Sequence, residues 1–297
     1  MLAPLSHVPP ALRATLRCGD RDLTLGARTF VMGIVNVTPD SFSDGGQFFG
    51  KGLVNVDDAV AHALRLLDDG ADVIDVGGES TRPGATAVDV DVELVRVLPV
   101  IKALVARGVT NLSVDTRHAV VAAAALSAGA AWVNDVSALA DPSMIEVARD
   151  AQAVVLMHWR RAPWDQQQDQ VAYDDVVADV HEFLAARVAV AVAGGVQPER
   201  VVVDPGLGFG KSVDDNVRLL AGGRAFADLG AVLIGASRKR FLGVLAGREE
   251  VTAPRARLGA SVGAACAAAF AGADLVRVHA VRETVDALKV VDAALRC

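Results

Sequence analysis

Aromatic residues are scarce: one tyrosine, three tryptophans and nine phenylalanines make up 4% of the 297 residues. Hydrophobic content is nonetheless 52%. A core must therefore be built from valine, alanine and leucine, which suits buried parallel strands and close-packed helices. Cysteine is also sparse. Cys18, Cys266 and Cys297 lie far apart without metal or redox spacing, so they are expected to be cytosolic thiols. No two of the six histidines form an H-x-x-x-H pair, which argues against zinc. Positive charge is in deficit, with 29 basic against 36 acidic residues and a net charge of −7, so no broad nucleic-acid-binding face is expected. Long apolar runs are missing too. The Ala-rich run 261–273 is short of a membrane span and is followed by Asp274, and the proline-containing residues 1–14 do not read as a signal peptide. No linker or composition shift divides the chain. The expectation is a soluble cytoplasmic protein with one domain over residues 1–297.

What is present is a weak internal repeat. Gly70-Ala71-Asp72-Val73-Ile74-Asp75, Gly129-Ala130-Ala131-Trp132-Val133-Asn134 and Gly272-Ala273-Asp274-Leu275-Val276-Arg277 each join a helical stretch to an apolar run. Each glycine can stop a helix in the left-handed conformation, and each apolar run reads as a buried strand. In every copy a polar residue stands five places after the glycine. Val56, Val60, Ala63, Leu64 and Leu67 recur at helical spacing behind Asn55, a plausible N-cap. Segment 175–192 behaves similarly.

Apolar runs at 30–36, 72–77, 110–115, 131–136, 153–158, 200–204, 231–236 and 274–279 give eight strands, most of them separated by helix-compatible segments. That alternation implies a parallel sheet. Eight units in this length match an α/β (β/α)₈ barrel better than an open doubly wound sheet, although strand order is not visible in sequence. Residues 1–28 fit no βα unit. Leu12–Leu16 and Leu23–Leu25 flank the turn signal Cys18-Gly19-Asp20, so this extension is expected to contain a short hairpin at the N-terminal mouth.

In such a barrel, chemistry sits at the C-terminal strand ends. The proposed strands end near Asn36, Asp75, Asp115, Asn134, His158, Asp204, Ser237 and His279. One polar tip is ordinarily a turn or cap residue; eight converging on one mouth are a site. Asp115, Asn134 and Asp204 suit a flat heterocycle rich in N–H donors, because a buried donor without a partner costs about 1–3 kcal/mol. Lys239, Arg277 and His279 suit an anion such as phosphate or pyrophosphate. Two motifs mislead. A P-loop ending in Gly210-Lys211-Ser212 would need glycine where Pro205 stands, and G-x-G-x-x-G from Gly206 would need glycine at Lys211. Lys211 is read as a charge at a helix start, without a catalytic role.

The run Asn36-Val37-Thr38-Pro39-Asp40-Ser41-Phe42-Ser43-Asp44-Gly45-Gly46 resembles the first signature of the dihydropteroate synthase family, and Asp75-Val76-Gly77-Gly78-Glu79-Ser80-Thr81-Arg82-Pro83-Gly84 resembles its second. Ser113-Val114-Asp115-Thr116, Val133-Asn134-Asp135-Val136, the run 204–211, Ser237-Arg238-Lys239 and Arg277-Val278-His279 are similar to its remaining blocks, in order. The resemblance implies a (β/α)₈ barrel, usually a homodimer assisted by Mg²⁺. Its substrates would be two small molecules, 6-hydroxymethyl-7,8-dihydropterin diphosphate and p-aminobenzoate, with no nucleic acid or membrane partner. Its products would be 7,8-dihydropteroate and pyrophosphate, formed by dissociative displacement. It implies that Asp115, Asn134, Asp204 and Lys239 hold the pterin, that Asn36 lies by the metal, and that Asn36, Arg277 and His279 serve the pyrophosphate. Phe42, Thr81, Arg82, Phe209 and Arg240 match positions around p-aminobenzoate, and Asp44, Asp204 and Lys239 are the implied catalytic residues. A sulfonamide should then compete with p-aminobenzoate.

The chain departs from the family pattern in three places. Arg240 stands where many relatives carry serine, the run Trp159-Arg160-Arg161-Ala162-Pro163 lacks their glycine, and residues 47–52 lengthen the first loop. The rival readings are a pterin-barrel methyltransferase and a non-catalytic paralogue. The first needs neither the first loop nor the Arg277/His279 pair, and the second should have lost a site residue; here all are present.

Overall fold

The computed structural model describes residues 14–38, 49–50, 53–80, 87–159, 172–248 and 254–295. An antiparallel pair, β1 (Thr15–Cys18) and β2 (Arg21–Thr24), precedes β3 (Phe30–Asn36). A second small pair, β4 (Phe49–Gly50) and β5 (Leu53–Val54), leads into α1 (Val56–Asp68). Strands and helices then alternate as β6 (Val73–Gly77), α2 (Val90–Val105), β7 (Leu112–Asp115), α3 (Ala119–Ser127), β8 (Trp132–Asp135), α4 (Met144–Asp150), β9 (Ala153–Met157) and α5 (Val176–Ala193). The series continues through β10 (Val201–Asp204), α6 (Val213–Ala221), β11 (Ala231–Ile234), α7 (Arg240–Leu245), α8 (Leu258–Phe270), β12 (Leu275–Val278) and α9 (Val281–Leu295).

β3 and β6 to β12 pair in parallel in chain order, and β12 returns to β3, so eight strands close a barrel. Closure removes the open-sheet alternative. The repeat now has a physical meaning. Gly70, Gly129 and Gly272 have φ of +101°, +108° and +90°. The next residue in each copy donates its N–H back into the helix just ended: Ala71 to Leu66, Ala130 to Ala125 and Ala273 to Ala268. This is the left-handed helix stop that glycine makes without a Cβ penalty. The aspartate that follows in two copies ties neighbouring strands. Asp72 Oδ2 accepts from Val31 N at 2.8 Å, and Asp274 Oδ2 accepts from Val232 N at 2.9 Å. These two residues precede β6 and β12 instead of belonging to them, so both strands start one residue later than the apolar runs indicate. Asn55 caps α1, accepting from Asp58 N.

The hairpin seals the lower mouth. Leu16, Cys18, Leu23 and Leu25 pack with Phe30, Met32, Trp132, Val155, Val202, Leu233 and Leu275 from inside the barrel. Trp132 Nε1 donates to Arg17 O at 2.7 Å, which satisfies the one polar atom of a fully buried indole. Burial pushes the Cys18 thiol well above its usual range, so it is an inert filler. Gly19 makes the turn with φ +64°, and a Cβ there would lie 2.3 Å from the Thr110 carbonyl oxygen. Gly19→Ala should therefore lower stability by about 1–3 kcal/mol while leaving turnover at the opposite mouth unchanged. Urea unfolding and steady-state assays check this, and an unchanged unfolding midpoint contradicts it.

Candidate active site at the upper mouth

The three residues found five places after the repeat glycines meet in space. Asp75 on β6, Asn134 on β8 and Arg277 on β12 form one network: Asn134 Nδ2 and Arg277 Nε both donate to Asp75 Oδ2, at 2.9 and 2.6 Å. Arg277 Nη2 donates to Asp115 Oδ2, from β7, at 2.6 Å. The guanidinium fork thus spans two carboxylates across the barrel. Burial drives the Asp115 carboxyl up to about 7, against the pull of Arg277. Burial also opposes charge on Arg277, but Asp75 and Asp115 outweigh it and hold its proton more tightly. Asp75 Oδ1 is buried without a hydrogen-bond partner among the described residues, an open acceptor on the floor of the mouth.

A second cluster forms around the loop after β10. Asp204 Oδ1 accepts from Gly206 N at 2.8 Å, and burial raises its carboxyl above the usual range against the opposing charge of Lys239. Lys239, the residue preceding α7, donates through Nζ to the Leu207 carbonyl and lies 4.4 Å over the Phe209 ring. Burial lowers its ammonium to about 8, with Asp204 resisting. Gly208 is what admits this side chain: at φ +80°, a Cβ there would sit 2.7 Å from Lys239 Cδ. Arg238 holds a positive φ of 61° in the turn that presents Lys239. Its N–H donates to Ser261 Oγ at 2.9 Å and its carbonyl accepts from Arg257 Nη1 at 2.8 Å. The β11 and β12 ends are joined by Ser237, whose Oγ lies 3.1 Å from His279 Nδ1.

The structure therefore gathers Asp115, Asn134, Asp204, Lys239, Phe209, Arg277 and His279 at one mouth. Asn36 ends β3 there, partly exposed and opposite Gly77. Arg240 opens α7 with its side chain exposed. Phe42, Asp44, Thr81 and Arg82 lie outside the described residues. The base of the second loop is fixed. Glu79 accepts from Val88 N at 2.9 Å and from Arg117 Nε at 2.8 Å, so one carboxylate ties the end of β6 to the start of α2 and to the segment after β7. Two features went unread in the sequence. Asp75 was seen as a tip and given no role, although its place in the repeat was the available signal. Lys211 is not a charge at a helix surface but a buried side chain.

Asp115, Asn134, Asp204 and the open oxygen of Asp75 offer acceptors for a donor-rich flat ring, while Lys239 and Arg277 supply positive charge. Among the described residues no group of three His, Cys, Asp or Glu side chains could hold a metal ion. The neutral oxygen of Asn36 fits a hard cation that keeps its water and takes further oxygens from substrate phosphates.

A sequence model of the family described as pterin binding enzyme matches residues 32–279. The dihydropteroate synthase of Mycobacterium leprae is 50% identical over 273 residues, covering 89% of this chain and 93% of that one. A crystal structure of Xanthomonas albilineans dihydropteroate synthase with 4-aminobenzoic acid superposes with a TM-score of 0.85 at 49% identity, over 98% of this chain and 100% of that one. A complex of the X. albilineans enzyme with 7,8-dihydropteroate gives 0.81 at 47% identity, over 95% and 99% of the two chains. With the barrel, the acceptor floor and the paired lysine and arginine in place, the chain belongs to the pterin-binding enzymes, among the dihydropteroate synthases.

Proposed function

We propose that this chain joins p-aminobenzoate to 6-hydroxymethyl-7,8-dihydropterin diphosphate, forming 7,8-dihydropteroate and releasing pyrophosphate. The observation that carries the reading is the pair of buried carboxylates, Asp115 and Asp204, flanking cationic Arg277 and Lys239 at one barrel mouth. Asp115, Asn134 and Asp204 accept the ring N–H groups of the pterin, and Lys239 donates to its ring acceptors. The aromatic amine is already neutral at pH 7, so the attacking nitrogen needs no strong base. The demanding step is departure of pyrophosphate. The C–O bond breaks with its electron pair going to the leaving group, and the electron-rich pterin carries the resulting methylene cation. Asp204 places negative charge near that cation. Arg277 uses Nε and Nη2 on Asp75 and Asp115 and offers Nη1 to the leaving oxygens, beside His279. Mg²⁺, held by Asn36 and the diphosphate, would supply further charge neutralisation. Phe209 and the α7 N-terminus at Arg240 border the aminobenzoate, and a sulfonamide, as a planar aniline bearing an anionic group, competes there.

We also infer a homodimer. α8 buries Ser261, Ala264, Ala265, Ala268 and Ala269, while Leu258 and Phe270 on it and Leu245 of α7 stay 38%, 47% and 54% exposed. Exposed apolar side chains on these two helices suit a second copy of the chain. A cytoplasmic location agrees with the free cysteines Cys18 and Cys266, and among the described residues no helix is long and apolar enough to cross a membrane.

Lys239→Ala should reduce p-aminobenzoate-dependent pyrophosphate release by about 10²–10³-fold, and retention of full activity removes the reading. The two titrations also set a pH window. Protonating Asp115 below about 7 removes an acceptor, and deprotonating Lys239 above about 8 removes a charge. A plot of kcat/KM for the pterin diphosphate should therefore be bell-shaped between these limbs, with the acid limb lost in Asp115→Asn. A flat profile from pH 6 to 9 contradicts this. Phe270→Asp should convert a dimer to a monomer by light scattering, and an unchanged mass contradicts the α7–α8 interface.

A further inference from the structure

Lys211 follows Gly210 and immediately precedes Ser212, the N-cap of α6. A cation there has the wrong sign for the helix dipole, so the helix does not explain it. Its side chain is buried, and its ammonium touches no carboxylate among the described residues. Nζ instead donates to Gly206 O at 2.8 Å and Phe209 O at 3.2 Å, and lies 3.0 Å from His158 Nδ1. Two carbonyls accept from the Lys211 ammonium, and His158 Nδ1 stands within hydrogen-bond distance as its third partner.

These bonds tie the loop that serves the site. Gly206 approaches the end of β9 so closely that a Cβ would lie 2.1 Å from His158 O. Gly208 N donates to Asn216 Oδ1 at 2.5 Å. Between the two carbonyls held by Lys211 lies Leu207, whose own carbonyl receives Lys239. The ring beneath Lys239 belongs to Phe209. The two lysines grip one loop, one within the protein and one from the substrate side.

We propose that Lys211, seated on His158, is a positioning residue for the reaction: it fixes the 206–209 loop so that Leu207 and Phe209 hold Lys239 and the aminobenzoate ring in place. This inference rests on the roles given above to Lys239 and Phe209. Burial, with a smaller contribution from the charge of Lys239, lowers the Lys211 ammonium to about 7, while Asp204 and Asp215 oppose the shift.

The test compares Lys211→Met, His158→Phe and His158→Asn with Lys239→Ala in the full-length protein, using p-aminobenzoate, pterin diphosphate and Mg²⁺. Lys211→Met keeps the length of the side chain and removes its donors. It should raise KM for p-aminobenzoate and lower kcat, for a combined loss of about 10²-fold in kcat/KM. His158→Phe keeps a flat ring against Phe183, 4.8 Å away, but removes the acceptor and should reproduce the loss. His158→Asn, which restores an acceptor, should recover most of it. If Lys211→Met does not fold, the two His158 variants decide. The inference is overturned if Lys211→Met stays within threefold of wild type, or if His158→Asn is as impaired as His158→Phe, while Lys239→Ala is inactive. An active Lys239→Ala overturns the functional reading itself.

Discussion

The site depends on a buried guanidinium between two carboxylates. Arg277 reaches from β12 to Asp75 on β6 and Asp115 on β7, and Asp75 also receives Asn134 from β8. Four of the eight barrel strands are therefore cross-linked by charge inside a space that elsewhere holds apolar side chains. Without the arginine, Asp75 and Asp115 would repel in a medium that stabilises neither; breaking such a pair typically costs about 3–5 kcal/mol. The arrangement is stable but not saturated, because Asp75 Oδ1 has no partner among the described residues and Asp115 sits near the edge of ionisation. A floor with unused acceptor capacity is what a ligand rich in N–H groups can complete.

Around this floor, backbone conformation does the positioning. The 205–210 loop alternates glycines in the left-handed region, Gly206, Gly208 and Gly210 at φ +67°, +80° and +62°. Each turns the chain so that carbonyls face lysines on opposite sides. Arg238, a non-glycine residue at φ +61°, does the same for Lys239, and Arg257 and Ser261 from the start of α8 hold it there. A lysine is a flexible point charge. Here its aim comes from the peptide units around it.

The barrel was legible in the sequence because its signals are local. Glycine stops at Gly70, Gly129 and Gly272 and short apolar runs repeat eight times, a number that favours a closed barrel, while the closure itself is seen only in the pairing of β12 with β3. The identity of the mouth residues was legible through their order along the chain. What the sequence could not show was pairing across the barrel. Arg277 was expected on the pyrophosphate alone, but its nearest partners are carboxylates on strands about 160 and 200 residues earlier. Lys211 was hidden for a similar reason: whether a lysine before a helix points to water or inward depends on where His158 and the Gly206 carbonyl lie, and no spacing rule records that. Asp72 and Asp274 read as strand residues in the sequence because nothing in an apolar run marks which backbone N–H its first aspartate will accept.

The plugged lower end of the barrel has a consequence for traffic. Leu16, Cys18, Leu23 and Leu25 fill that end, and Trp132 is latched to the hairpin through Arg17. Both reactants and both products must then pass through one opening. Whatever rests on Asp115 and Asn134 is the deepest occupant, so it enters before anything bound nearer the rim at Phe209, and the joined product leaves rim end first. A hairpin at one pole thus imposes an order of events at the other without touching any molecule involved.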